Sequence, residues 1–271
     1  SNSGSTSGGV DDEIFAISVA PDGGIVVGGD TASNNFPLKN AYQSTFAIPT
    51  TDSYHGFVSK LTADGQSLSW STFLGGSSYE DSVSSVTTDA SGNVYFVGYT
   101  NSTNFPRVNA LYSVYQGGSY DGFIGKISSD GTTPGFITFF GGSGVDAVEG
   151  IDVDSTGIYV QGITLSGNLP LVTPFQTSYA GAGADGTGDA FVAKFALDGS
   201  SLVYSSFLGG SGDDQIYGIR LGTDHSLYVC GDTSSANFPL KNAYSSAFAV
   251  NTSNQYHAFV SRVSPTGQLA Y

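Results

Sequence analysis

Short apolar runs broken by turn residues recur along the whole chain, four runs to a unit. In the last unit Ile216-Tyr-Gly-Ile-Arg-Leu221 reads as a first strand, ended by Gly222-Thr-Asp-His-Ser226. Leu227-Tyr-Val-Cys-Gly231 follows as a second strand and Ala258-Phe-Val-Ser-Arg-Val263 as a third. The fourth is clearest one unit earlier, as Ser201-Leu-Val-Tyr-Ser-Ser-Phe-Leu208. Turns between first and second strands carry Asp22-Gly-Gly24, Asp89-Ala-Ser-Gly-Asn93 and Asp154-Ser-Thr-Gly157. Those between third and fourth carry Asp64-Gly65, Asp130-Gly131 and Asp198-Gly199, which are strong hairpin signals.

Two phrases fix the repeat. The first reads Gly29-Asp-Thr-Ala-Ser-Asn-Asn-Phe-Pro37, Gly98-Tyr-Thr-Asn-Ser-Thr-Asn-Phe-Pro106, Gly162-Ile-Thr-Leu-Ser-Gly-Asn-Leu-Pro170 and Gly231-Asp-Thr-Ser-Ser-Ala-Asn-Phe-Pro239. The second reads His55-Gly-Phe-Val-Ser-Lys60, Asp121-Gly-Phe-Ile-Gly-Lys126, Asp189-Ala-Phe-Val-Ala-Lys194 and His257-Ala-Phe-Val-Ser-Arg262. Corresponding residues recur every 64 to 69 positions, so one supersecondary unit is repeated and packed against its copies. Four-stranded antiparallel units at this period predict an all-β fold, a β-propeller of four tandem blades. Units 11–74, 75–140, 141–208 and 209–271 follow a polar segment, 1–10. The ring is either closed by four blades or an arc completed by other blades or subunits. Phe57, Phe123, Phe191 and Phe259 recur because the same gap between blades must be filled each time. Lys60, Lys126, Lys194 and Arg262 hold one repeat position, read as a solvated tip or a repeated ion pair.

The joint pattern resembles the SBBP β-propeller repeat: Gly-Gly-Ser-x-x-Asp, a strand, Asp-x-x-Gly-Asn-Val-Tyr, Gly-x-Thr-x-Ser-x-Asn-Phe-Pro, Asp-Ala-Phe-Val-Ala-Lys and Tyr-Ser-Ser-Phe-Leu-Gly-Gly. The resemblance covers the chain after its first ten residues. It implies propeller blades in bacterial or archaeal exported and surface proteins, and it implies no activity. Tyr271 corresponds to Tyr204, midway through a fourth strand, and Asn35–Tyr42 is identical to Asn237–Tyr244. An unpaired blade edge would offer strands to a neighbour, a route to self-association.

Composition narrows the partners. The 38 glycines and 20 Asp among 23 acidic residues favour turns, while 34 Phe and Tyr supply a sizeable core from a hydrophobic fraction of 39%. The net charge of −15 opposes binding to nucleic acid or to anionic membranes. No apolar run has membrane length. A bland surface of Ser, Thr, Asn, Gly and Tyr suits an extracellular or cell-surface location. Cys230 is the single cysteine and fills the slot of Gly28, Val97 and Gln161; a partly buried, inert thiol is expected there.

Candidate chemistry is sparse. Asp12, Asp81, Asp146 and Asp214 recur before each first strand, where they could ring the channel mouth and hold Ca²⁺, or instead cap their own Gly-rich turns. His55 and His257 alternate with Asp121 and Asp189 as local hydrogen-bonding caps. Gly181-Ala-Gly-Ala-Asp-Gly186 matches a dinucleotide fingerprint but lies in a loop with no helix after it, so phosphate binding is not expected. Tyr42, Tyr54, Tyr115, Tyr120, Tyr179, Tyr244 and Tyr256 stand in the long loops, for packing, subunit contact or sugar stacking. Asn101 and Asn251 open sequons. No catalytic residues and no obligatory cofactor emerge. The leading expectation is a non-enzymatic extracellular structural or adhesive protein that self-associates or joins other surface proteins. A carbohydrate-binding propeller is the first alternative and an enzyme at the channel mouth the second.

Overall fold

The computed structural model describes residues 11–45, 53–246 and 255–271. It is all-β, with four antiparallel sheets that follow one another along the chain. The first blade contains β1 (Asp12–Val19), β2 (Ile25–Thr31), β3 (His55–Leu61) and β4 (Leu68–Leu74). The second contains β5 (Asp81–Thr88), β6 (Val94–Thr100), β7 (Asp121–Ile127) and β8 (Pro134–Phe140). The third contains β9 (Asp146–Asp154), β10 (Gly157–Thr164), β11 (Asp189–Phe195) and β12 (Leu202–Leu208). The fourth contains β13 (Asp214–Leu221), β14 (Leu227–Thr233) and β15 (His257–Val263), with Leu269 bridged antiparallel to Val263. Strands in each sheet are in sequence order, as in a propeller blade.

Each blade has two apolar faces, so its core lies between blades rather than within one. Val26, Val58 and Trp70 of the first blade pack on Val83, Phe96 and Phe123 of the second. Tyr95, Val97 and Ile124 meet Val148, Ile151 and Phe191 across the next boundary. Tyr159, Val192 and Tyr204 meet Ile216, Ile219 and Val229 across the third. The innermost strands β5, β9 and β13 carry these contacts to the preceding blade. Among the described residues, the fourth blade does not pack on the first as successive blades do, so the ring is open.

The repeated Gly that opens the first phrase has a steric cause. Each innermost strand bulges beside it, and a Cβ on Gly29, Gly98, Gly162 or Gly231 would lie within 2 Å of the carbonyl oxygen of Glu13, Ser82, Ala147 or Gln215. The bulge residues left without a cross-strand partner are Phe15, Ser84, Glu149 and Tyr217. A bulge re-aims the side chain it carries. All four line one central cavity of about 1070 Å³.

Candidate functional site

The cavity is lined by all four innermost strands, which makes it the channel of the blade array. The residues that the bulges present to it are a Phe, a Ser, a Glu and a Tyr. Fourfold repetition therefore produces no fourfold chemistry there. Glu149 is half-buried, and loss of solvent pushes its carboxyl up to about 7. It can carry a proton near neutrality, but among the described residues no three His, Cys, Asp or Glu converge as a metal site.

The signature phrase builds a clamp at each blade boundary instead. In the third blade Asp146 accepts hydrogen bonds from Thr164 Oγ1 (2.5 Å), Ser166 Oγ (2.7 Å) and the Gly142 amide (2.7 Å). Ser166 Oγ in turn accepts from the Gly144 amide at 2.7 Å, and Asn168 Oδ1 from the Ser143 amide at 2.8 Å. Ser166 and Asn168 thus tie down the segment arriving from the preceding blade. Asp81 with Thr100, Ser102 and Asn104 repeats the arrangement, as does Asp214 with Ser235 and Asn237. In the first blade Asp12 accepts from Thr31 Oγ1, and the Ser33 amide donates to the same hydroxyl. Asp81, Asp146 and Asp214 are completely buried and do not line the channel. The structure therefore places three of the four Ca²⁺ candidates inside their own turns, pointing at backbone amides.

A second carboxylate or imidazole approaches each buried Asp from the blade before it. His55 Nδ1 lies 3.1 Å from Asp81 Oδ2. At the equivalent boundaries Asp121 faces Asp146 and Asp189 faces Asp214. Burial, helped by the neighbouring carboxylate, pushes Asp121 and Asp189 each up to about 7. The second phrase thus sets an imidazole against Asp81 at the first boundary and a second carboxyl near Asp146 and Asp214 at the next two.

The repeated basic position closes a different contact, within each blade. Lys60 Nζ is 2.7 Å from Asp22, Lys126 Nζ 3.8 Å from Asp89 and Arg262 Nη2 2.5 Å from Asp224. In the third blade Asp154 pairs with His225 of the fourth at 2.8 Å, and Lys194 Nζ donates to Thr156 Oγ1. Lys126 and Lys194 also lie over the rings of Tyr95 and Tyr159, their cross-strand partners. These cations serve the scaffold and form no basic ring.

The Gly181–Gly186 loop does cradle an anion, supplied by the chain. Amides of Gly183, Asp185, Thr187 and Gly188 donate to Asp213. Burial raises the Asp213 pKa, but these four bonds outweigh it and hold the carboxyl below its usual range.

Most loop aromatics pack on the blades. Tyr42 is half-buried against the first core, and Tyr115 stands edge-on to Phe139 at 5.9 Å. Tyr120 stands edge-on to Tyr99 and donates to Glu80, while Tyr179 leans on Phe207 at 6.1 Å. Tyr54 bridges to Glu80 through its backbone, and Tyr256 donates to Asp185. Tyr244 alone among the seven is fully exposed. It lines a groove of about 450 Å³ beside β15 with Phe238, Leu240 and Phe259. Asn101 is half-buried, its side-chain oxygen accepting from the Glu80 amide, and Asn251 lies outside the described residues.

One expectation is corrected. Cys230 is exposed rather than partly buried. Its counterparts Val97 and Gln161 are covered by the following blade, whereas Cys230 faces the central cavity, which Phe15 and Ile17 of the first blade also line. Sequence reasoning allowed for an open arc but missed which residues it uncovers, because repeat-equivalent residues share a sequence signal but not a neighbour.

Residues 69–106 match the family model of the SBBP beta-propeller repeat. The match runs from β4 through β5 and β6 to Pro106, so it spans one blade boundary with its complete Asp81–Ser102–Asn104 clamp. No curated protein matches the chain.

Proposed function

We propose that this chain is a non-enzymatic structural or adhesive protein of the cell exterior, whose blades serve as packing units in a larger surface assembly. One observation carries the reading: the uncovered faces of the first and fourth blades expose apolar positions that every internal boundary buries. The rest of the repeated chemistry is consumed by the scaffold, since clamps, corner pairs and cations meet partners within the blades or across their boundaries. The Ser-, Thr-, Asn- and Tyr-rich surface favours the extracellular setting. Among the described residues no helix is long and apolar enough to cross a membrane. Fractionation of source cells with imaging of the purified native particle tests the proposal: surface-associated assemblies are expected, and an intracellular monomer would overturn it.

A glycan-binding reading draws on Tyr244, an exposed ring on an apolar groove. In the other three blades a fourth strand covers the corresponding side of the sheet, which favours protein over sugar as the occupant. A glycan array with wild type and Tyr244→Ala separates the two readings: binding that the substitution abolishes would establish the sugar site.

A further inference from the structure

The two end faces are the two halves of one interface, and the internal boundaries supply its template. Ile14 and Ile17 of β1 are 63% and 69% exposed. Their repeat equivalents Val83 and Val86, Val148 and Ile151, Ile216 and Ile219 are buried against the preceding blade. On the fourth blade Val260 is 63% exposed and Cys230 lies beside it on the same face, both open to the central cavity that Ile17 also lines. Their equivalents at internal boundaries, Val58, the pair Ile124 and Val97, and Val192, are buried against the following blade. The hairpin glycines tell the same story. Trp70, Phe136 and Tyr204 press on Gly131, Gly199 and Gly267 of the following blade. Tyr271, the fourth member, is partly exposed, and Gly65, the fourth glycine, has nothing within 4 Å of its Cβ position.

The receiving side is also shaped. An apolar hollow of about 270 Å³ opens on the first blade between Ile14, Phe36, Phe57 and Leu61. Phe105, Phe123 and Ile127 stand at the matching positions of the second blade, where they are buried in the core that Val58 and Trp70 enter. The projecting residues Val260 and Tyr271 therefore match a hollow carried by the same chain.

We propose that the fourth-blade face of one copy, centred on Cys230, Val260 and Tyr271, docks on the first-blade face of a second copy, centred on Ile14, Ile17 and Gly65. The association is head-to-tail, in the register of the internal boundaries. It rests on the assembly reading above and adds the partner and the contact to it. A second copy satisfies both exposed faces with the complement that the internal interfaces already use. Heterologous contacts of this kind close into rings or propagate as filaments.

The sole cysteine makes the register testable. At the first boundary a Cβ placed on Gly28, the counterpart of Cys230, lies 3.5 Å from Val83 Cβ, the counterpart of Ile14. That spacing lies within the range of a disulfide. Purified Ile14→Cys is oxidised with copper phenanthroline and resolved on a denaturing gel, with Ser200→Cys, a hairpin-tip substitution, as control. Covalent dimers and higher multimers joined from position 14 to Cys230, located by peptide mapping, are expected from Ile14→Cys and not from the control. Light scattering of the wild type should show mass rising above one chain with concentration, and Val260→Asp should hold it at one chain. A 14–230 link formed within a single chain would show that the arc closes on itself and overturn the proposal. So would two unlinked thiols in oxidised Ile14→Cys together with a wild type that stays monomeric at every concentration. A head-to-tail ladder from a protein that proves to be a lectin would retain the interface while removing the structural role, so the two readings fail separately.

Discussion

Gly65 and Gly131 occupy the same hairpin position in successive blades and differ only in what stands next to them. Both have positive φ, 68° and 75°. An alanine at either site pays for the left-handed backbone, about 1–2 kcal/mol. At Gly65 nothing else is added, because no atom lies within 4 Å of the new methyl. At Gly131 the methyl would sit 2.2 Å from Cδ2 and 2.5 Å from Cγ of Trp70. Those ring atoms are close to the Trp70 backbone, and the indole is further fixed by Nε1 donating to Ser129 O at 3.0 Å. The ring cannot swing away cheaply, so overpacking adds about 1–3 kcal/mol. Gly131→Ala is therefore expected to cost about 2–5 kcal/mol in total and Gly65→Ala only the first part. With a urea m-value of about 3 kcal/mol/M, the extra cost separates the two midpoints by about 0.3–1 M. Trp70 is the only tryptophan, so its fluorescence during urea titration reports this boundary directly. Dilute protein must be used, since the contact proposed for Gly65 belongs to the assembled state. Equal midpoint shifts for the two variants, or an unchanged Trp70 emission maximum in Gly131→Ala, would refute the account of the boundary.

Other consequences are as direct. Asp121 and Asp189 titrate near 7 when folded and near 3.8 when unfolded. The folded state thus retains protons that the unfolded chain releases, so their contribution to stability is complete below about pH 4 and is lost as pH rises to about 7. The slope is about 1.4 kcal/mol per pH unit for each group within that window. Asp189→Asn should flatten the thermal-stability profile between pH 4 and 8 and raise the melting temperature at pH 8; a profile identical to wild type would rule out the raised Asp189 pKa. Gly98→Ala forces a methyl against the Ser82 carbonyl oxygen and should cost at the upper end of about 1–3 kcal/mol or beyond, read by urea denaturation. Asn168→Ala removes the acceptor for the Ser143 amide at an exposed site, so a loss of about 0.5–1.5 kcal/mol is expected in the same assay. Cys230 should react with maleimide at once in dilute native protein and become protected as concentration rises.

The repeat exposed the fold because strand alternation, turn glycines and aromatic spacing are local signals, and each blade obeys them independently. The role of Asp146 was legible to the same depth: its capping of Gly142 follows from a carboxylate four residues beyond an amide in a Gly-rich turn. Its contact with Asp121 was not, because 25 residues and a blade boundary separate them and only the fold brings them together. An open arc was among the alternatives, but the exposure of particular end-face residues was hidden for a stronger reason. Cys230 and Gln161 sit at equivalent positions with equivalent backbone pairing. What distinguishes them is the presence of a following blade, a property of the array that no local pattern encodes. Ile14 makes the point from the other side. Within this chain it is a misplaced surface residue, 63% exposed on an open sheet. Judged by Val83, Val148 and Ile216, it is the receiving half of a boundary. Repetition explains the residue if a further blade face completes the boundary, and that unmet complement is the physical argument for the proposed association.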